Sequence, residues 1–155
     1  MLIRKARVYD LKEIDKIYLE GVIDELQLQF PDKSKFQIIK EMNKACKDRL
    51  KGFEKEIISS TKNLWLVAEI EGNIVGFANA EIKNKKEGAL TMLYIKRPLR
   101  RQGIGKELTV KRIDWLKKKD VKEISAGVLI KNKASLNNLR KLGFKETSIK
   151  LVKKV

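Results

Sequence analysis

The stretch that most constrains this chain is "ALTMLYIKRPLRRQGIGKELTVKRIDWLKK", residues 89–118. It opens with an apolar run of strand length, stopped by "KRP". It closes with apolar residues at helical spacing. Ile104, Leu108, Ile113, Trp115 and Leu116 share one side of that helix, while Lys106, Glu107, Lys111, Asp114, Lys117 and Lys118 lie mostly on the other. A strand that feeds an amphipathic helix through a short turn needs a sheet face to bury the helix, which points to an α/β domain. At the joint stands "RRQGIGKEL", residues 100–108. The first amides of a helix have no intrahelical partner and carry the positive end of its dipole. Gly103 and Gly105 remove side chains that would keep an anion from them, and Arg100 and Arg101 add charge. The expected geometry is strand, turn, and a phosphate resting on the helix start. It is neither a P-loop, which would need Gly at 100 and Ser or Thr at 107, nor a dinucleotide fingerprint, which would need a third glycine in place of Leu108.

The flanking sequence fits the same class. "LIRKARVYD" alternates as a first strand. Asp10 is placed to cap the helix that follows, with Glu13 in the capping-box position. Leu11, Ile14 and Tyr18 form that helix's inner stripe, and the helix is expected to run until Pro31. A second helical stretch carries Phe36, Ile39, Met42 and Cys46 on one side. The period then changes: "NLWLVAEI" and "NIVGFANAEI" read as strands joined by "EGN", with "NKKEG" as the next turn before the strand "ALTMLYI". Beyond the central helix, "VKEISAGVLI" reads as a strand. Asn132 caps a helix with Leu136, Leu139 and Leu142 inward, Gly143 fits its end, and "FKETSIKLVKKV" closes the chain as a strand. The order is β, α, α, β, β, β, α, β, α, β.

A chain of 155 residues, 43% hydrophobic, suits one domain spanning 1–155. No apolar run approaches the ~18 residues of a membrane span. The N-terminus lacks the apolar stretch of a signal peptide, so a cytoplasmic protein with no membrane partner is expected. The single Cys46 has no internal disulfide partner and reads as a buried thiol at helical spacing from Met42. The absence of histidine excludes His catalysis and His-based metal sites, and no clustered Asp or Glu set suggests a metal. The net charge of +16 is carried by lysines that are scattered rather than grouped with aromatics, which reads as a solvated charged surface.

"LYIKRPLRRQGIGKEL" together with "NKASLNNLRKLGF" resembles the GNAT superfamily of acetyl-CoA-dependent N-acetyltransferases, and "IRKARVYDLKEIDKIYLEG" is similar to that family's first strand and helix. The resemblance implies a mixed α+β fold: a central mixed, mostly antiparallel twisted sheet with flanking helices and splayed parallel strands that hold CoA. It implies that backbone groups of Leu93, Tyr94 and Ile95 bond the pantetheine arm. Arg100, Arg101, Gln102, Gly103, Ile104, Gly105 and Lys106 would wrap the pyrophosphate, while Asn132 and Ser135 contact the cofactor or orient the thioester. Asn132 and Ser135 also suit plain helix capping.

The implied reaction is attack of an amine on the acetyl thioester of acetyl-CoA, without a metal. It needs an uncharged amine, a donor for the developing oxyanion and a proton for the leaving thiolate. A backbone N–H of "MLYI" suits the donor. The sequence departs from the family at its acid and base. Leu139 stands where relatives carry a tyrosine, and Gly127 where some carry a base. Glu69, Glu81, Glu87 and Tyr94 are the candidates left, beside a relay through water. The acceptor is an amine of a small molecule or of a protein N-terminus or lysine, shaped by roughly residues 20–53, where Glu20, Asp24 and Glu25 either attract a cation or form a solvent-facing strip. A homodimer is open. The alternatives are a CoA-binding regulatory or sensor relative with little catalysis, and a nucleic-acid-binding protein supported by charge alone.

Overall fold

The computed structural model describes residues 1–45, 48–59, 61–149 and 153. Strand β1 (Leu2–Lys5) is followed by helices α1 (Leu11–Gln29), α2 (Lys35–Ala45) and α3 (Arg49–Ile58), then by β2 (Asn63–Ile70), β3 (Asn73–Ile82) and β4 (Glu87–Ile95). Helix α4 (Ile104–Lys118), strand β5 (Glu123–Ala126) and helix α5 (Lys133–Lys141) complete the order. The five strands lie side by side in chain order, antiparallel except for the parallel pair β4–β5. This is the mixed, mostly antiparallel sheet with flanking helices that the resemblance implies.

Both sheet faces are covered, so the central strands are apolar on successive residues rather than on alternate ones. On β2, Trp65 and Val67 join Ile14, Ile17, Phe53 and Phe77 under α1 and α3, while Leu64, Leu66 and Ala68 join Ala78, Ile104 and Leu108 under α4. The first face is an aromatic cluster. Phe53 meets Trp65 at 4.8 Å between ring centroids, Trp65 stacks on Phe77 at 5.7 Å, and Phe77 meets Tyr94 at 5.7 Å. Burying each such ring contributes ~1.5–3 kcal/mol. Among the described residues, no helix is long and apolar enough to cross a membrane.

Four local expectations are corrected. The segment between β1 and β2 holds three helices, and α2 buries Ile38 and Met42 while Phe36 is 75% exposed and Ile39 also faces outward. Ile39 lies about 100° and Phe36 about 200° around the helix from Ile38, so a short helix on one neighbour cannot bury all three. Cys46 lies outside the described residues. Asp10 does not cap α1: its carboxylate takes the Arg7 N–H at 2.8 Å and turns back to the Arg4 guanidinium at 2.7 and 3.0 Å. Burial alone would raise the Asp10 pKa. Arg4 and the Arg7 amide outweigh it and hold the carboxyl below its ordinary value.

The strand expected through Ile130 stops at Ala126, where the chain leaves the sheet. The closing strand does not form in the described residues 144–149. Phe144 donates its N–H to Leu139 O at 3.1 Å, a helix-ending bond that takes this donor from any ladder, and its ring packs against the end of the core near Leu116. The remainder of that expected strand, residues 150–155 apart from Lys153, lies outside the described residues.

Candidate active site

The site begins where two strands part. Strands β4 and β5 pair from Glu87 with Glu123 to Leu90 with Ala126 and no further, although β4 runs on to Ile95. A cleft of about 710 Å³ opens there, walled by Thr91–Ile95 on one side and by α5 and the start of α4 on the other. The register fixes which backbone groups face it. Lys96 donates to Val75 O at 2.9 Å, and Gly76, Phe77 and Ala78 stand opposite Ile95, Tyr94 and Leu93. Antiparallel pairs alternate between bonded and non-bonded. Tyr94 is therefore bonded to β3, and the N–H and C=O groups of Leu93 and Ile95 turn to the side that β5 has left. Between Ala78 and Ala80 the register slips: Ala78 faces Leu93, but Ala80 faces Leu90, so Thr91 and Met92 together oppose Asn79. This is a β-bulge, and it lies beside the cleft.

The second wall is the start of α4. Gly103 sits at φ 85°, in the left-handed region, and a Cβ there would meet nothing within 4 Å. Within the protein its glycine is needed for backbone conformation rather than to avoid a neighbouring atom. The first helical bond is Glu107 N–H to Gly103 O at 3.1 Å, which leaves the amides of Ile104, Gly105 and Lys106 without intrahelical acceptors.

Of the residues expected to hold a cofactor, Leu93, Tyr94 and Ile95 line the cleft from β4. Arg100, Arg101, Gly103, Ile104, Gly105 and Lys106 line it from the turn and α4, and Asn132 and Ser135 from the start of α5. Gln102 does not line it; its side-chain amide reaches back toward Pro98 O at 3.5 Å. Asn132 acts as the cap of α5, its Oδ1 accepting from Ser135 N–H at 3.2 Å. The Arg100 side chain has protein partners of its own. Its Nε donates to Ile95 O at 2.8 Å and its Nη2 lies 2.7 Å from Asp24 Oδ2 on α1. Arg97 also binds Asp24 through its Nη2, and its backbone N–H donates to Glu20 at 3.1 Å. Burial would raise the Asp24 pKa, but the two arginines hold it below its ordinary value. Glu20 and Asp24 are thus arginine partners that tie α1 to the end of β4, not a solvent-facing strip.

Glu25 differs. It lines the cleft and accepts a hydrogen bond from the Tyr94 hydroxyl at 2.8 Å. Burial, and then the charge of Glu25, push the Tyr94 pKa well above its ordinary value, so this hydroxyl is a standing donor. The remaining acid–base candidates are elsewhere: Glu69 is bound by Arg4 at 3.0 Å, Glu87 by Asn84 at 2.8 Å in the turn before β4, and neither they nor Glu81 line the cleft.

Two features of the site had no sequence reading. At Gly21 on α1, a Cβ would stand 2.0 Å from Tyr94 Cδ1, so glycine there lets the helix lie on the Tyr94 ring. On α4, Thr109 and Arg112 are buried on the side read as apolar. Arg112 Nη1 donates to Asn79 O at 2.9 Å and to Met92 O at 3.1 Å, and Nη2 to Thr109 Oγ1 at 3.0 Å. Its Nε has no partner among the described residues. Burial pushes its pKa down to about 10. A polar residue at a core-spaced helix position was the available signal.

The acetyltransferase (GNAT) family matches residues 19–144. None of the curated proteins compared with the chain matches it. Among solved structures, the chain is similar to a PaiA N-acetyltransferase from Thermoplasma acidophilum in complex with coenzyme A (22% identity, 96% of this chain and 92% of that one, TM-score 0.77). It is also similar to a ribosomal-protein-alanine N-acetyltransferase from Brucella melitensis (25% identity, 96% and 86%, TM-score 0.73). A third similar structure is AAC(6')-Iy in complex with a bisubstrate analogue of CoA and acetylneamine (17% identity, 99% and 97%, TM-score 0.70).

Proposed function

Because this chain belongs to the acetyltransferase (GNAT) family and is an acyltransferase, we propose that it moves an acetyl group from acetyl-CoA to a primary amine admitted between α1 and β4. The observation that carries this reading is the parting of β4 from β5 beside the free amides of α4. The residues present suit the ligand. The N–H and C=O of Leu93 and the N–H of Ile95 suit an amide-bearing arm lying in the gap, and the amides of Ile104 to Lys106 suit its pyrophosphate. The Arg100 side chain also binds the Ile95 carbonyl and Asp24 of α1, and Gln102 would contribute through its backbone amide.

When bound, acetyl-CoA supplies an activated thioester. The Leu93 N–H would be the donor to its carbonyl oxygen. The attacking amine is the uncharged form of an alkylammonium with pKa ~10.4 in water. Glu25, held by Tyr94, would take the proton this amine sheds as the C–N bond forms and the C–S bond breaks, and the departing CoA thiolate would take up a proton from water. Tyr94 orients Glu25 rather than giving up a proton. The acceptor is an amine of a small molecule or of a protein.

Two measurements test this. Acetyl-CoA at about 100 times its Kd adds ~2.7 kcal/mol, which is a rise in Tm of roughly 5–10 °C for a chain of this size. A folded protein whose Tm ignores millimolar acetyl-CoA would overturn the reading. A mass-spectrometric screen of polyamines, amino acids, aminoglycosides and protein N-termini then identifies the acceptor. Binding of CoA with no amine acetylated would favour the regulatory relative.

A further inference from the structure

From the buried contacts of Arg112, we propose that this residue is a positioning residue for acyl transfer, acting through the Met92–Leu93 peptide; this rests on the acetyl-CoA reading above. A peptide unit is planar and trans, so its C=O and N–H point in opposite directions. The Met92 carbonyl accepts from Arg112 Nη1 at 3.1 Å on the β3 side of β4. The Leu93 N–H belongs to the same peptide and points the other way, into the cleft where β5 has left the sheet. Holding one end of the peptide aims the other. A cation on the oxygen also draws electron density along the peptide and makes its N–H a stronger donor.

The placement is specific. At the bulge Thr91 and Met92 oppose one residue, so the ordinary ladder is locally disrupted. The Arg112 Nη1 bridges the two carbonyls on either side of the slip, Asn79 O and Met92 O. Thr109 steadies the guanidinium from the same helix, and its own hydroxyl donates to Gly105 O at 2.7 Å. The bulge, the helix start and the donor peptide are thereby coupled through one side chain. Arg112 is 2% exposed, and its hydrogen-bond partners among the described residues are two carbonyls and a hydroxyl, with no carboxylate among them. An apolar residue would fill the same volume without desolvating a charge, so core packing alone does not account for an arginine here.

The test uses acetyl-CoA labelled with ¹³C at the carbonyl, bound to the full chain, and reads the thioester carbonyl band by difference infrared spectroscopy. In the wild type, the band lies below that of acetyl-CoA free in an aprotic solvent, because the Leu93 N–H polarises it. In Arg112→Met, which keeps length and loses the donors, this downshift is largely lost while the calorimetric Kd for CoA, which has no acetyl carbonyl, stays the same. Thr109→Val, nearly isosteric, loses part of the downshift and serves if the methionine variant does not fold. A folded variant that retains the full downshift, even with a lower Tm, overturns the proposal and leaves Arg112 a structural residue. A wild type that binds acetyl-CoA with no downshift overturns it as well. A wild type that binds no acetyl-CoA overturns the functional reading on which it rests.

Discussion

Asp24 and Glu25 are adjacent carboxylates with different surroundings. Asp24 is gripped by Arg97 and Arg100, whereas Glu25 meets a tyrosine hydroxyl at the cleft. If Glu25 takes the amine proton, Glu25→Gln lowers kcat by ~10²- to 10⁴-fold with CoA binding intact. Tyr94→Phe, which removes one hydrogen bond worth about 1 kcal/mol, costs several-fold. Steady-state kinetics on the identified amine distinguishes them, and a Gln variant with near-normal kcat would return the proton transfer to water. Asp10 offers a test of stability. Its folded pKa is depressed, so its contribution is fully present above the unfolded value of about 3.9 and is lost as pH falls through the folded value. Asp10→Asn is expected to cost about 2–3 kcal/mol at neutral pH and to weaken the acid limb of the stability profile, read from urea midpoints at constant m.

At the scale of elements, the strand, turn and α4 were legible because each rests on local rules: period, a proline stop, and glycines before a helix. What lies in the third dimension was not. The buried side of α2 depends on the neighbour it packs against, Asp10 on an arginine of β1, Gly21 on a ring from β4, and Arg112 on a register slip between two strands. Spacing also does not tell which partners a long side chain finds, and the Asp24 partner of Arg100 is one of these. The α4 turn yields a ranking. Gly103→Asp sets a side chain and a negative charge at the helix start, and strains a φ of 85°. Arg101→Ala removes one exposed charge, worth about 1 kcal/mol at most. Calorimetry with CoA at two salt concentrations should find the aspartate variant much the weaker; the reverse order would mean that side chains rather than amides hold the phosphate. On α1, Gly21→Ala must displace the Tyr94 ring, an overpacking expected to cost ~1–3 kcal/mol in chemical denaturation.

For the whole molecule, the early end of the β4–β5 ladder has a consequence for the order of folding. Strands β2, β3 and β4 form a meander closed by short turns, with Ile70 already facing Asn73 across the first of them. Strand β5 joins only after α4 has crossed, bringing Ala126 beside Leu90. Loop closure taxes distant pairings before they are rewarded, so the meander is expected to organise first and the parallel edge later. The cleft exists only once that edge is in place. A ligand that binds there stabilises the finished molecule and not the transition state, so acetyl-CoA should act as a brake on unfolding rather than a guide to folding. In stopped-flow chevrons, saturating ligand should lower the unfolding limb by nearly the whole of its equilibrium stabilisation and leave the refolding limb where it was. A matching acceleration of refolding would mean that the two strands have already met, and parted, at the barrier.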